Sequence, residues 1–243
     1  MRLETVDSTN SFVLARDDLM RRAGLVVYAD KQTAGRGRFG RRWFGGRGNL
    51  FASMVIHPVS SGFPVWSMPV LVGVALYDAV FDLLDKVGNS SGLSIKWPND
   101  LLFDNRKLAG ILCESRQIDG RTVVVAGTGV NIKGDYAGFP EGLREVTVAL
   151  SEAGIHVERE CLLDLLLDHM DAVISRAHNG LKDEVFEKWC HISSSIGRKV
   201  RFEQEGREFY GRISGLDSRG GLVVSTSSGE DVVVLSGEVV YMD

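Results

Sequence analysis

Residues 31–49 hold six basic side chains (Lys31, Arg36, Arg38, Arg41, Arg42, Arg47), six glycines (Gly35, Gly37, Gly40, Gly45, Gly46, Gly48) and no acid. A segment of one charge sign repels itself and offers nothing to a core, so it predicts a long loop that is mobile until an anion neutralises it. Loops of this length in compact domains are usually functional or disordered, and a solvated flexible loop is the plain alternative to an anion site. Gly35-Arg36-Gly37-Arg38-Phe39-Gly40 matches G-x-G-x-x-G, but a dinucleotide site needs the third glycine to open a helix facing the pyrophosphate. Arg41-Arg42-Trp43-Phe44-Gly45-Gly46 is no helix start, and no Gly-Lys-Ser/Thr follows to make a P-loop. These residues can fold guanidinium and backbone N–H groups over a polyphosphate, with Trp43 stacked on a base. Binding of single-stranded nucleic acid by an Arg/Gly/aromatic loop uses the same physics and stays open as the rival.

Three further strings carry chemistry. In Lys96-Trp97-Pro98-Asn99-Asp100 a strand bearing a cation and an indole is stopped by proline and followed by an amide and a carboxylate; read structurally, Pro-Asn-Asp is a turn. Lys107-Leu108-Ala109-Gly110-Ile111-Leu112 opens an otherwise apolar strand with one lysine and ends in Cys113 and Glu114. A lysine there is commonly a solvated guard of a strand edge, whereas Gly110 within the strand points to close approach of a ligand to the backbone. Gly127-Thr128-Gly129-Val130-Asn131 sets two glycines and an amide at the end of a buried strand, as a ligand approach or as a bulge.

Together these strings resemble the biotin protein ligase family. The family pattern runs Ser-Thr-Asn at the first helix, Gly-Arg-Gly-Arg-x-Gly-Arg-x-Trp, Lys-Trp-Pro-Asn-Asp, Lys-Leu-x-Gly-Ile-Leu and Gly-x-Gly-x-Asn. All five stand here in that order, at Ser8-Thr9-Asn10, 35–43, 96–100, 107–112 and 127–131. The segment after Ser193, with Gly215-Leu216-Asp217 and Ser236-Gly237-Glu238-Val239, is similar to the family's small SH3-like C-terminal domain. The resemblance implies an α/β (α+β) catalytic domain over 1–192, a mixed sheet backed by helices and related to class II aminoacyl-tRNA synthetases, followed by an SH3-like β-barrel over 193–243.

The activity it implies joins biotin to one lysine of a biotin carboxyl carrier domain of a biotin-dependent carboxylase, through biotinyl-5′-AMP. Attack of a carboxylate on the α-phosphate of ATP brings two anions together, so positive charge must be supplied at their contact. By resemblance Lys107 and Arg38 supply it, Asp100 steers or accepts the carrier amine's proton, and turn formation is the bland reading of Asp100. Biotin would be held by Ser8, Thr9, Asn10, Gln32, Arg36, Gly37, Arg38, Lys107, Gly110 and Leu112. ATP and the adenylate would be held by Arg36, Arg38, Trp43, Lys107 and Asn131, with Mg²⁺ carried by phosphates and water and with no protein metal site. Some members place a tryptophan just before the segment matching 147–154; Glu145 and Val146 stand there in this chain, which leaves Trp43 more of the adenine packing. Repressor-type members begin with a helix-turn-helix domain for which this sequence leaves no room, so no sequence-specific DNA binding is expected, and family habit makes a homodimer an option. A lipoate-type ligase shares the reaction class. The non-enzyme alternative is the single-stranded nucleic-acid module, whose binding would weaken steeply with salt.

These strings must be positioned by elements, and the sequence names most of them. Ser8 and Thr9 are good N-caps for a helix through residue 22 with Gly24 as its C-cap; residues 25–29 and 50–57 read as strands and 65–87 as a helix. From residue 93 the pattern is an antiparallel meander, 93–97, 101–103, 107–115 and 123–132, with turns at Asp104-Asn105 and Asp119-Gly120. Helices follow over about 159–177 and 183–190, then short strands at 199–202, 209–213, 222–225 and 231–235. The chain has 243 residues, 44% hydrophobic and 25% charged, with 28 Lys and Arg against 32 Asp and Glu. That is a globular composition, which excludes disorder, collagen and disulfide scaffolds. Three cysteines without C-x-x-C spacing make neither a disulfide framework nor a zinc site, so a reducing cytoplasm is expected. The longest apolar run, 70–77, is far short of the ~20 residues of a membrane span, and the N-terminus has no signal core.

Overall fold

A computed structural model describes residues 1–58, 62–227 and 229–242. Its centre is a seven-stranded sheet in the order β1-β2-β3-β7-β6-β5-β4. The strands are β1 (Arg2–Val6), β2 (Val26–Gln32), β3 (Leu50–Ile56), β4 (Leu93–Lys96), β5 (Asp100–Phe103), β6 (Arg106–Ile118) and β7 (Arg121–Val130). Only β1 runs parallel to its neighbour; every other pair is antiparallel. The expected meander is therefore present as β4 to β7. The sequence reading did not name β1, whose charged, half-exposed residues alternate too weakly to announce a strand.

Side chains alternate across the sheet, and its two faces meet different partners. Ala52, Ala126, Ala109 and Ile111 face a layer of two helices, α3 (Met68–Asp85) and α4 (Arg159–His178), in the main core. Val27, Val55, Val123 and Val125 face the other way, onto Val13, Leu19 and Met20 of two short helices, α1 (Thr9–Leu14) and α2 (Asp17–Met20). The expected single first helix is thus two, with Ser8 as the N-cap of α1 through its hydroxyl. Because α1 and α2 are short, they cover only the part of that face over Val123 and Val125. Further along β7 the face carries Gly127 and Gly129, beside Leu112 and Gly110 of β6.

Val65–Asp85 is long and apolar enough to cross a membrane by length and composition alone, but 67% of its most apolar window is buried inside the fold, as in a core helix. α3 has to be apolar almost all round because the sheet lies on one side and α4 and α5 (Lys182–Ile192) on the other. After α5 come β8 (Lys199–Gln204), β9 (Arg207–Leu216), β10 (Leu222–Thr226), β11 (Asp231–Val234) and β12 (Val240–Tyr241), an antiparallel sheet in the order β11-β10-β9-β8-β12. Its inward residues Val200, Phe202, Ile213 and Val224 are buried in the same core as α3. The seam is direct: Trp66 Nε1 donates to the Arg219 carbonyl at 3.0 Å, and Gly220 lies against Ser67 and Phe186.

Trp189 of α5 is fully buried, and its indole N–H has no acceptor. Trp189→Ala should cost about 3–5 kcal/mol through the cavity it opens. Trp189→Phe, which also removes the unpaired donor, should cost less than about 1.5 kcal/mol. Urea unfolding of the two variants tests this, and equal losses would contradict it.

Candidate active site

The uncovered part of the sheet is the floor of a cavity of about 330 Å³. All thirteen residues singled out in the sequence line it: Ser8, Thr9, Asn10, Gln32, Arg36, Gly37, Arg38, Trp43, Asp100, Lys107, Gly110, Leu112 and Asn131. They come from α1, the end of β2, the loop after it, β5, β6 and the residue following β7.

One end of the floor is neutral and densely hydrogen-bonded. Asn10 Nδ2 donates to the Leu112 carbonyl (3.0 Å) and to Glu114 Oε2 (2.9 Å), which fixes which end of the amide is nitrogen. Asn10 Oδ1 then accepts from the Ser53 hydroxyl at 2.6 Å, and the Thr9 hydroxyl stands 2.7 Å from the same Ser53 oxygen. Gln32 Oε1 accepts the Thr9 backbone N–H at 2.8 Å. Ser53 is fully buried, and the sequence reading missed it. Its one signal is a hydroxyl in the otherwise apolar run of β3.

No bulge is found at Gly110, Gly127 and Gly129: the β6–β7 register is regular there, pairing Gly110 with Gly129 and Leu112 with Gly127. All three are half-buried and line the cavity. The space that a Cβ would take is filled by the protein's own side chains. A Cβ at Gly129 would lie 2.6 Å from Trp43 Cε2, one at Gly110 2.8 Å from Trp43 Cζ3, and one at Gly127 would strike the Asn10 amide. The indole of Trp43 lies flat over two glycines, with its Nε1 buried and unpartnered.

Lys107 is no edge guard. The β5–β6 register shifts at Leu101/Leu102, from a partner at Ala109 to one at Lys107. Without that bulge Lys107 would share a face with Ala109 and Ile111 and point at the helices; the extra residue turns it to the face of Gly110. Its Nζ stands 2.6 Å from Asp100 Oδ1 and 5.5 Å from the centre of the Trp43 ring. The strand end is clamped on its other edge, where Lys107 N–H donates to the Val146 carbonyl (2.7 Å) and Val148 N–H to the Lys107 carbonyl (3.1 Å). Asn131 Nδ2 also points at the Lys107 carbonyl, at 3.4 Å. Asn99 Nδ2 donates to the Ile111 carbonyl at 2.7 Å, which seats the Pro-Asn-Asp turn on β6.

The arginine loop is folded rather than featureless. Arg36 pairs with Arg42 across a small hairpin whose tip is a turn at Arg38–Gly40, with Phe39 at φ 55° and Gly40 at φ 72°. Arg36 Nη2 stands 2.5 Å from Glu114 Oε2, Arg38 Nη2 donates to the Gly237 carbonyl (2.6 Å), and Arg41 pairs with Glu238. Burial pulls the Arg38 guanidinium below its ordinary range, against the opposing pull of Glu238 and Asp100. Tyr241 lines the cavity from the C-terminal sheet; burial pushes its phenol up to about 12, and its hydroxyl stands 2.8 Å from Ser195 Oγ. Phe44, Phe139 and Leu143 add an apolar wall, with the Phe44 and Phe139 rings 5.9 Å apart. Phe139, Leu143 and Tyr241 lie too far from the motifs in sequence to announce themselves, whereas Phe44 directly follows Trp43. Val146 is exposed.

Six cationic side chains (Arg36, Arg38, Arg41, Arg42, Lys96, Lys107) and two carboxylates (Asp100, Glu238) line the cavity. Along β6 the lining thus passes from neutral donors and acceptors at Leu112 to a net positive end around Lys107, which Asp100 offsets in part. Such a site takes a ligand with a polar uncharged head and an anionic end.

A model of the biotin/lipoate A/B protein ligase family matches residues 3–131, and one of the biotin protein ligase C terminal domain matches residues 195–242. The chain belongs to the biotin/lipoate A/B protein ligase family. Within this ligase family it is 30% identical to a biotin--[acetyl-CoA-carboxylase] ligase of Paracoccus denitrificans, over 95% of this chain and 96% of that one. It is also 30% identical to the bifunctional ligase/repressor BirA of Bacillus subtilis over 85% of this chain, and spans 63% of that longer protein. The fold superposes on the biotin protein ligase from Aquifex aeolicus in complex with biotin and ATP with a TM-score of 0.79 and 26% identity, covering 100% of this chain and 97% of that one. The mixed sheet backed by helices, followed by a small antiparallel β unit, is therefore the ligase-family fold that the sequence implies.

Two outcomes follow from this geometry. Gly129→Ala should lever the Trp43 indole off the sheet, raising its collisional quenching relative to a Trp43→Phe control; unchanged quenching would contradict the stacking. Burial pushes the Cys113 thiol up to about 12, whereas Cys161 is exposed. A thiol reagent at about pH 8 should therefore label Cys161 first and the half-buried Cys113 far more slowly, as read by peptide mass mapping.

Proposed function

We propose that the protein is an ATP-dependent biotin protein ligase, which makes biotinyl-5′-AMP and transfers biotin to a lysine of a biotin carboxyl carrier domain. The observation that carries this reading is the division of one cavity into a neutral hydrogen-bonding floor and a cationic end built on Lys107. The names of the relatives, biotin--[acetyl-CoA-carboxylase] ligase among them, support the choice of acceptor.

On this reading biotin's ureido group sits among Ser8, Thr9, Asn10 and Gln32, with its carboxylate toward Lys107 and Arg36. A carboxylate oxygen attacks the α-phosphorus of ATP, the bond to the bridging oxygen breaks, and pyrophosphate leaves. Lys107 and Arg38 hold the two anions together, and their charge acts more strongly once bound substrate displaces water from under the hairpin. ATP enters as its Mg²⁺ complex, the ion being carried by phosphates and water. Among the described residues no three His, Cys, Asp or Glu side chains are grouped to hold a metal. Phe44, Phe139 and Trp43 offer the apolar surfaces for adenine.

In the second step the carrier amine attacks the acyl carbon and AMP leaves as the acyl–phosphate bond breaks. The amine's proton has to go to a base, and Asp100, 2.6 Å from Lys107 Nζ, is the carboxylate in place. Enclosure by the hairpin protects the mixed anhydride from hydrolysis until the carrier arrives. The three free thiols suit the cytoplasmic setting we propose.

Purified protein with Mg²⁺ should exchange labelled pyrophosphate into ATP when biotin is added and stay silent with lipoate. Lys107→Ala should cut the exchange by about 10²-fold or more with thermal stability unchanged. Exchange with lipoate alone would move the reading to a lipoate ligase, and near-normal exchange by the variant would sink the role of Lys107.

A further inference from the structure

Glu114 follows the Lys-Leu-x-Gly-Ile-Leu string on β6, and the proposed reaction leaves it without a part. It does not line the cavity, yet its Oε2 is the meeting point of two groups that do. Asn10 Nδ2 approaches it at 2.9 Å from the floor, and Arg36 Nη2 at 2.5 Å from the hairpin. The Asn10 amide is itself fixed by Ser53 and the Leu112 carbonyl, so the carboxylate has one rigid neighbour and one that belongs to a loop.

The other ties of the hairpin lead elsewhere. Arg38 and Arg41 reach Gly237 and Glu238 of the C-terminal sheet, and Arg42 reaches the Thr33 carbonyl at the hairpin's own base. Among the described residues, Arg36–Glu114 is the one ion pair between the hairpin and the central sheet. The pair is partly exposed, 42% at Arg36 and 27% at Glu114, so it contributes little to global stability. What it fixes is where the hairpin lies over the neutral floor.

We propose that Glu114 is a positioning residue, a latch through which Asn10 and the floor of the cavity hold Arg36 and the hairpin closed over the ligand. Because Asn10 and Arg36 share one oxygen, the fixed amide sets where the carboxylate lies, and Arg36 follows it. A ligand on the floor that the closed hairpin covers then binds more tightly when the latch is made, and its binding favours closure by the same factor. The part of the test that uses biotin rests on the proposed function; the part that uses protease does not.

Two readouts distinguish the failures. Trypsin cleavage within residues 35–43, followed by mass spectrometry on folded protein, should run several-fold faster in Glu114→Ala than in wild type. It should show no further acceleration when Glu114→Ala is added to Arg36→Ala. In biotin-dependent pyrophosphate exchange, Glu114→Ala should raise KM for biotin about tenfold, the usual cost of a charged hydrogen bond, with a smaller change in kcat. That rise too should vanish in the Arg36→Ala background. Glu114→Gln, which keeps the bond to Asn10 but offers Arg36 a neutral acceptor, should fall between, and it carries the same tests if the alanine variant does not fold. Wild-type cleavage rates and KM in the variants overturn the latch, as do effects that persist undiminished without Arg36. A wild-type protein that shows no biotin-dependent exchange overturns the proposed function instead, and the protease result then decides the latch alone.

Discussion

Gly110, Gly127 and Gly129 carry no Cβ on the face of the sheet opposite α3 and α4, and a methyl group at any of them would strike Trp43 or Asn10. Everything in the cavity depends on that missing volume. Strand interiors normally avoid glycine, because it adds nothing to packing and loses much entropy on ordering. Here the loss is localised where α1 and α2 run out, so the main core on the other face stays continuous while one patch can receive a side-chain amide and an indole. Asn10 and Trp43 then become the surface that a ligand meets. Substituting the glycines would act first on these two side chains.

Charge is arranged on top of that steric frame. The neutral network of Asn10, Ser53, Thr9 and Gln32 satisfies its own donors and acceptors, which makes it rigid at little electrostatic cost. A few residues along β6, the bulge at Leu101/Leu102 turns Lys107 into the cavity, and Asp100 and the Trp43 ring hold its ammonium there. Arg36 is neutralised by Glu114, and Arg41 by Glu238. Among the described residues the hydrogen-bond partner of Arg38 is a backbone carbonyl, and burial disfavours its charge. A guanidinium in that position gains more from an incoming anion than its paired neighbours do, because it surrenders no ion pair to meet it.

The sequence made much of this legible, and the limits follow from range. Motifs made of neighbours in sequence, such as Lys96 to Asp100 or Gly35 to Trp43, announce themselves because their chemistry is local, and the structure brings all of them to one cavity. Strands from β3 to β7 and the helices α3 to α5 were readable from period and turn residues. β1 was not, because an edge strand with charged residues has no alternation to show. The arginine loop gave its composition but not its hairpin, whose ties reach Glu114, Gly237 and Glu238. The role of the glycines could not be read either. A glycine announces space, and only the coordinates say that a side chain from far along the chain fills it. Ser53 is a case between: a single hydroxyl in an apolar strand, visible as an irregularity though not as part of a network.

The bond from Arg38 to the Gly237 carbonyl closes a loop of 199 residues. A ribosome delivers residues in order, so the sheet, its helices and every motif of the first 131 residues emerge long before the backbone that pins the hairpin tip. During that interval the tip of the hairpin has no partner in the C-terminal sheet. Pinning of Arg38 therefore waits on the last strands of the polypeptide, and the cover of the cavity is assembled from the two ends of the chain.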